Sequence, residues 1–216
     1  MKHRALLLDL DGTLLDTAPD MAAALNVLLR EEQREPLPFA SIRPVVSHGS
    51  MGLIRLAFGT PEDSERQRLI DRFLVIYRNA LAVHSQLFAG FAQLLEQLRE
   101  QGLHWGVVTN KPAWLTDPLL ATLGLDTQAA CIISGDTLSE RKPHPLPLLH
   151  AAQLIGLRPA ECLYVGDAER DIQSARAAGM PSLVALWGYI AHTDRPHEWQ
   201  ADGMIDQPEQ LHDWLF

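Results

Sequence analysis

Short apolar runs alternate with longer stretches of helical period along most of the chain. Ala5 to Leu8, Trp105 to Val108, Cys131 to Ile133, Cys162 to Val165 and Ser182 to Leu186 are such runs, with a weaker sixth at Met204-Ile205. The first four stop at Asp9, Thr109, Ser134 and Gly166, and runs bounded this way read as strands buried on both faces. Between them, Phe91 to Gln101, Ala113 to Leu123, Pro145 to Ile155, Ala168 to Ala178 and Pro208 to Leu215 carry the helical period, with Leu94, Leu95 and Leu98 on one face of the first. Gly102, Gly124, Gly156 and Gly179 each fall just past a helix end, where a left-handed residue closes the last turn. The alternation predicts an α/β fold, a doubly wound parallel sheet with a Rossmann-like core and helices on both faces.

Residues 17–82 break this rhythm with several helical stretches and no convincing strand. Asp16-Thr17-Ala18-Pro19-Asp20 supplies helix-start chemistry, Pro36 and Pro38 punctuate, and Arg66 to Leu81 carries Leu69, Ile70, Phe73, Leu74, Ile76 and Tyr77. The expected division is an α/β core of residues 1–16 and 83–216 with a small all-helical cap, residues 17–82, inserted after the first strand. Hinges are expected near Leu14 to Thr17 and His84 to Phe88.

Composition narrows the function. At 216 residues and 47% hydrophobic content, the chain can bury one substantial core beside a smaller module. Its 27 acidic and 18 basic side chains give a net charge of −9, which repels nucleic-acid backbones and anionic membranes. A small anionic substrate must therefore be attracted locally, by a metal ion and a few well-placed cations. Lys2 and Arg4 precede only Ala5 to Leu8 before Asp9 interrupts, too short a run for a signal peptide or membrane span. Cys131 and Cys162 each sit in a short apolar run and read as buried reduced thiols of a cytoplasmic protein, a disulfide between them being the other reading.

Candidate chemistry gathers at four strand ends. The first strand runs into Asp9-Leu10-Asp11-Gly12-Thr13, two carboxylates two residues apart at the carboxyl end of a parallel strand, where such sheets bind ligands. Asp9 as a mere turn cap is the bland alternative. The second ends in Thr109-Asn110-Lys111, where a hydroxyl and backbone amides can hold phosphate oxygens or simply cap the next helix. After the third comes Arg141-Lys142-Pro143-His144-Pro145, whose prolines restrict the backbone so that Lys142 can be aimed rather than solvated. The fourth ends in Gly166-Asp167-Ala168-Glu169-Arg170-Asp171. Read as the start of a helix, it stacks Asp167 and Asp171 on one face; beside Asp9 they make an oxygen-only cluster suited to Mg²⁺. Asp167 can also serve as an N-cap. In the insertion, Arg43-Pro44-Val45-Val46-Ser47-His48-Gly49 precedes a short helix. Arg43, Ser47, His48 and Gly49 are candidates to face the non-phosphate part of a substrate, with a solvent-facing Arg43 and a structural His48 as alternatives.

These four pieces, in this order, resemble the haloacid dehalogenase-like hydrolase superfamily over essentially the whole chain, most specifically through Asp9-Leu10-Asp11-Gly12-Thr13-Leu14-Leu15-Asp16 and Gly166-Asp167-x-x-x-Asp171. The resemblance implies a nucleophilic Asp9 and a general acid/base Asp11. It implies phosphate contacts from Thr109, Asn110 and Lys142, with Lys111 beside them on the substrate. Mg²⁺ would be held by Asp9, the Asp11 carbonyl and Asp167, supported by Asp171 directly or through water. Asp11 would have a pKa near working pH, raised by carboxylate neighbours. Within the superfamily the chain is similar to the phosphoglycolate phosphatase branch through Asp11 to Asp20 and Thr109 to Pro112, and particularly to bacterial N-acetylmuramic acid 6-phosphate phosphatases through Val107 to Pro112, Gly188-Tyr189-Ile190 and Trp199 to Gly203. The expected function is Mg²⁺-dependent hydrolysis of a small acidic phosphomonoester, N-acetylmuramic acid 6-phosphate or 2-phosphoglycolate, through an aspartyl-phosphate. A second acid beside the nucleophile favours this over dehalogenation, because a departing alkoxide needs a proton and a halide does not. The rival readings are a sugar phosphomutase and a non-catalytic binding module. Phosphonate cleavage through a cap lysine is disfavoured, since residues 17–82 contain no lysine. The expected partner is a small phosphorylated metabolite, not nucleic acid or membrane, and the expected state a monomer or homodimer.

Overall fold

The computed structural model describes residues 3–216; Met1 and Lys2, at the start of the expected core segment, lie outside the described residues. The chain opens with β1 (Ala5–Leu8), passes a two-residue strand β2 (Leu15–Asp16), and enters helices α1 (Ala18–Glu31), α2 (Phe39–Ile42), α3 (Gly49–Phe58) and α4 (Asp63–Asn79). A second two-residue strand, β3 (Gln86–Leu87), pairs antiparallel with β2, placing Leu15 opposite Leu87 and Asp16 opposite Gln86. Helix α5 (Phe91–Glu100) then leads to β4 (His104–Val108), α6 (Ala113–Thr122), β5 (Cys131–Ile133), α7 (Leu146–Leu154), β6 (Cys162–Gly166), α8 (Glu169–Ala178), β7 (Ser182–Ala185), β8 (Gly203–Ile205) and a short α9 (His212–Leu215).

The six larger strands form one parallel sheet in the order β5-β4-β1-β6-β7-β8. β1 lies inside the sheet, and the chain winds from it first towards β5 and later towards β8. Period two sorts its side chains. Leu6 and Leu8 pack in one layer with Phe91, Leu94 and Leu98 of α5, Leu119 and Leu120 of α6, and Leu215 of α9. Ala5 and Leu7 face the opposite layer with Leu148 and Ala151 of α7 and Ala175 of α8. A third cluster joins Leu25 and Leu28 of α1, Leu53 and Ile54 of α3 and Phe73 and Tyr77 of α4 to Leu115 and Tyr189, two residues outside the 17–82 segment. The helical segment is thus packed down onto the sheet domain rather than standing away from it.

Several expectations meet their counterparts. Gly102, Gly124, Gly156 and Gly179 all have positive φ. Cys131 and Cys162 are buried and free, and burial pushes their thiols up to about 12 and about 11. No helix among the described residues is long and apolar enough to cross a membrane. Other boundaries move. Pro208 to Leu215 divides into a 3-10 turn, Pro208–Leu211, followed by α9. The expected helix from Ala168 begins instead at Glu169, because Ala168 is extended and caps it from outside. The β2–β3 ribbon has no counterpart in the sequence reading, since two residues per strand give no period to detect. It joins the two crossings between sheet domain and helical segment, and Asp20 of α1 ties them further by accepting the backbone N–H groups of His84 and Ser85 and the Ser85 hydroxyl.

Candidate active site

The order β5-β4-β1-β6 sets the carboxyl ends of four strands side by side, and the loops leaving them build the site. After β1 the chain turns tightly: Thr13 N–H donates to the Leu10 carbonyl, Leu14 N–H to that of Asp9 and Leu15 N–H to that of Leu10. Gly12 makes this turn with φ +85°, and a Cβ there would sit 2.2 Å from Oδ2 of Asp167. Left-handed backbone and lack of space both call for glycine. The turn buries Asp9 and leaves Asp11 half-buried beside it.

Asp9, Asp167 and Asp171 are all buried and each offers an oxygen within 4.8 Å of the others. Lys142, fully enclosed, places Nζ 2.9 Å from Oδ1 of Asp9 and 2.7 Å from Oδ1 of Asp171, and donates to the Tyr164 hydroxyl at 2.7 Å. Its three ammonium protons thus have three acceptors. Tyr164 in turn donates to the Val108 carbonyl at 3.0 Å. The Lys142 backbone is clasped by the Asn110 side chain, whose Nδ2 donates to the Lys142 carbonyl at 2.8 Å and whose Oδ1 accepts the Lys142 N–H at 3.0 Å. Burial, then the charges of Asp9 and Asp171, push Asp167 up to about 7. Burial and Asp9 likewise raise Asp171, although Lys142 works against them. Three carboxylates share one ammonium and the neighbouring Arg170, so the cluster lacks positive charge. An all-oxygen, negatively charged, buried donor set of this kind fits a hard divalent cation such as Mg²⁺.

Asp11 faces a different partner. Lys111 Nζ lies 3.0 and 3.2 Å from its two oxygens, and the Thr17 hydroxyl donates to it at 2.6 Å. Lys111 also reaches the Tyr77 hydroxyl on α4 at 3.0 Å. Burial opposes the Lys111 ammonium, but the Asp11 charge and Tyr77 prevail and hold it above the usual lysine range. Asp11, Lys111 and Tyr77 line a cavity of about 590 Å³ between the carboxyl ends of the strands and the helical segment. Asp9, Asp11, Thr109, Lys111 and Lys142 form its polar floor, and Met21, Val46, Met51, Leu74 and Leu115 supply an apolar wall.

The sequence matches the family model described as haloacid dehalogenase-like hydrolase over residues 6–185. The chain belongs to that family. It is 50% identical over 208 residues to a phosphoglycolate phosphatase of Xanthomonas campestris pv. campestris, covering 96% of this chain and 94% of the relative. It is 42% identical over 212 residues to an N-acetylmuramic acid 6-phosphate phosphatase of Pseudomonas putida, covering 98% and 95%. A crystal structure of a predicted phosphoglycolate phosphatase from Haemophilus somnus 129pt superposes with a TM-score of 0.88 at 26% identity, covering 100% and 99% of the two chains. This haloacid dehalogenase-like hydrolase is an enzyme of the phosphatase type.

In the hydrolase, the sequence candidates separate into groups. Asp9, Asp11, Thr109, Lys111 and Lys142 meet at the cavity floor, with Ser47, His48 and Gly49 on the wall above. Thr109 Oγ1 accepts the Lys111 N–H at 3.1 Å, which leaves its own proton for a ligand. Asn110 lines the cavity but its amide is engaged by Lys142. Arg43 is not part of the cavity wall: its guanidinium donates to the carbonyls of Trp187 and Gly188 at 2.9 and 3.1 Å and lies 5.0 Å over the Tyr189 ring. Ser47 directs its hydroxyl to Oδ2 of Asp167 at 2.6 Å. Asp167 and Asp171 do not share a helix face, because Asp167 precedes the helix while Asp171 sits in its first turn and accepts the Ala168 N–H at 3.1 Å. The nearest charged neighbour of Asp11 is an ammonium, not a carboxylate. Sequence reasoning missed Tyr77, Tyr164, Tyr189, Arg141 and Arg170. Tyr77 and Tyr164 stand in apolar runs whose periodicity marks them as core, and Arg141 drew notice only as the neighbour of Lys142.

Proposed function

We propose that the hydrolase removes phosphate from a small acidic phosphomonoester by way of an aspartyl-phosphate on Asp9, with Mg²⁺ as cofactor. The observation that carries this reading is the juxtaposition, on one cavity floor, of a buried Asp9 anchored at Oδ1 by Lys142 and a more exposed Asp11 two residues on. Asp9 attacks phosphorus through its other oxygen, and the bond to the leaving alcohol breaks as Asp11 delivers a proton to it. Asp11 then takes a proton from the water that attacks the phosphoryl group, which leaves as inorganic phosphate and restores Asp9. Asp9, Asp167 and the Asp11 carbonyl would hold Mg²⁺, which neutralises the repulsion between carboxylate and phosphate. Asp171, with one oxygen on Lys142 and the other on the Ala168 N–H, would support the ion from beside it, directly or through water. Thr109 binds phosphate oxygens by its hydroxyl, and Lys111 stands beside the ester.

The cavity favours N-acetylmuramic acid 6-phosphate over 2-phosphoglycolate. Its volume of about 590 Å³ falls in the range of pockets that enclose drug-sized ligands, whereas a two-carbon acid leaves the Met51 and Leu74 wall untouched. Arg141, exposed at the cavity and without an ion-pair partner among the described residues, supplies a cation for the substrate's carboxylate. On this reading residues 17–82 are the specificity cap and residues 1–16 and 83–216 the catalytic core. The two buried free thiols support a cytoplasmic setting, with the protein as monomer or homodimer. The test is a panel of phosphate esters ranked by kcat/KM through release of inorganic phosphate with no sugar acceptor present. The amino-sugar acid ester should exceed 2-phosphoglycolate by about tenfold or more. A ranking headed by 2-phosphoglycolate would overturn the substrate choice, and no free phosphate from any ester would overturn hydrolysis.

A further inference from the structure

We propose that Ser47 is a positioning residue through which closure of the helical cap sets the Mg²⁺ affinity of the carboxylate cluster. The inference rests on the metal reading above. Oδ2 of Asp167 accepts two short hydrogen bonds, from the Ser47 hydroxyl at 2.6 Å and the Tyr189 N–H at 2.8 Å, whereas Oδ1 receives only a long one from Thr13 at 3.5 Å. These donors fix the rotation of the carboxylate and leave Oδ1 the less engaged oxygen. Ser47 comes from the helical segment, on the 3-10 turn Arg43–His48. Tyr189 comes from the loop after β7.

Both donors are locked to one another. Arg43, at the start of the same turn, grips the carbonyls of Trp187 and Gly188 and covers the Tyr189 ring. Arg170, at the start of α8, donates to the Ser47 carbonyl at 2.7 Å. The Trp187 to Tyr189 loop itself lies hard against the metal-site carboxylate: a Cβ added to Gly188 would fall 2.2 Å from Cβ of Asp167. When the cap swings away, Ser47 leaves Asp167, and the Arg43 grip that steadies Tyr189 is released with it. Groups that hydrogen-bond a metal ligand typically account for a 10–100-fold share of metal affinity. Coupling of this kind is reciprocal, so Mg²⁺ must favour the closed cap by the same factor. The closed enzyme, with its ester enclosed, is then also the form that holds its ion most tightly.

Mg²⁺ titration of the substrate-free full chain by calorimetry tests this directly. Ser47→Ala should raise the Mg²⁺ Kd about tenfold or more, and Arg43→Met should raise it too although Arg43 touches no carboxylate. Equal Kd values in the wild type and Ser47→Ala would overturn the coupling alone, whereas a wild-type chain that takes up no Mg²⁺ would overturn the metal reading and this one with it. Hydrogen exchange on the wild type requires no variant: Mg²⁺ should slow exchange of the amides in residues 43–48, and rates indifferent to Mg²⁺ would refute the proposal.

Discussion

Replacing Asp167 by Asn should flatten the pH dependence of stability in the metal-free protein. Asp167 is enclosed beside Asp9 and Asp171 and is pushed from the ordinary 3.8 up to about 7. Between those values the folded chain keeps the proton and the unfolded chain has lost it, so this group adds stability that is fully present below 3.8 and is gone once pH rises past about 7. The full difference corresponds to about 4 kcal/mol, of which more than half falls between pH 5 and pH 8. Urea unfolding in EDTA at those two pH values compares the wild type with Asp167→Asn, in which that proton is gone and Asp9 and Asp171 no longer face a third carboxylate. The stability of the wild type relative to the variant should decline by roughly 2–3 kcal/mol from pH 5 to pH 8, and excess Mg²⁺ at pH 8 should recover it in the wild type only. Parallel pH profiles for the two proteins would refute the picture of a charge-deficient carboxylate cluster.

Asp9→Asn should abolish turnover while shifting the urea midpoint little, and EDTA should stop the wild-type reaction until Mg²⁺ is restored; phosphate release and unfolding curves check both. Tyr164→Phe deletes one of the three acceptors around Lys142 and should lower kcat roughly tenfold with KM nearly unchanged, a split that steady-state kinetics reads directly. Tyr189→Phe removes the hydroxyl that accepts the N–H groups of Thr17 and Ala18 and donates to Asp16. With those amides left unpaired at the start of α1, the loss should be about 1–3 kcal/mol in denaturant unfolding.

The sheet was legible because its strands are mostly apolar on both faces and the apolar runs break at polar or small residues; Asp9, Thr109 and Ser134 follow three of them, and Gly166 is the last residue of β6. The cavity floor followed from the same signals, since strand ends in a parallel sheet converge in space. What escaped was whatever depends on partners far apart in sequence. Ser47, which does line the cavity, gave no sign of its bond to Asp167, and Arg43, a candidate for the non-phosphate part of the substrate, gave none of the two backbone carbonyls it engages. Tyr164 reads as one more buried aromatic, because nothing in Cys162 to Val165 reveals that its hydroxyl meets Lys142. Asp171 was placed correctly in the cluster but for an incomplete reason: the helix begins two residues after Asp167, and the first-turn carboxylate brings Asp171 back to the strand end.

The β2–β3 ribbon brings the departing and returning strands of the excursion into adjacent register, so residues 17–82 leave and rejoin the sheet domain through a single narrow neck. Exchanging that module for one of different size would keep the chain path through the parallel sheet, but would take Tyr77 from Lys111 and Arg43 from the Trp187 to Tyr189 loop. If residues 17–82 set the leaving-group preference, transplanting that one contiguous stretch should rewrite it, provided the graft brings its own hydroxyl to Asp167 and its own partner for Lys111.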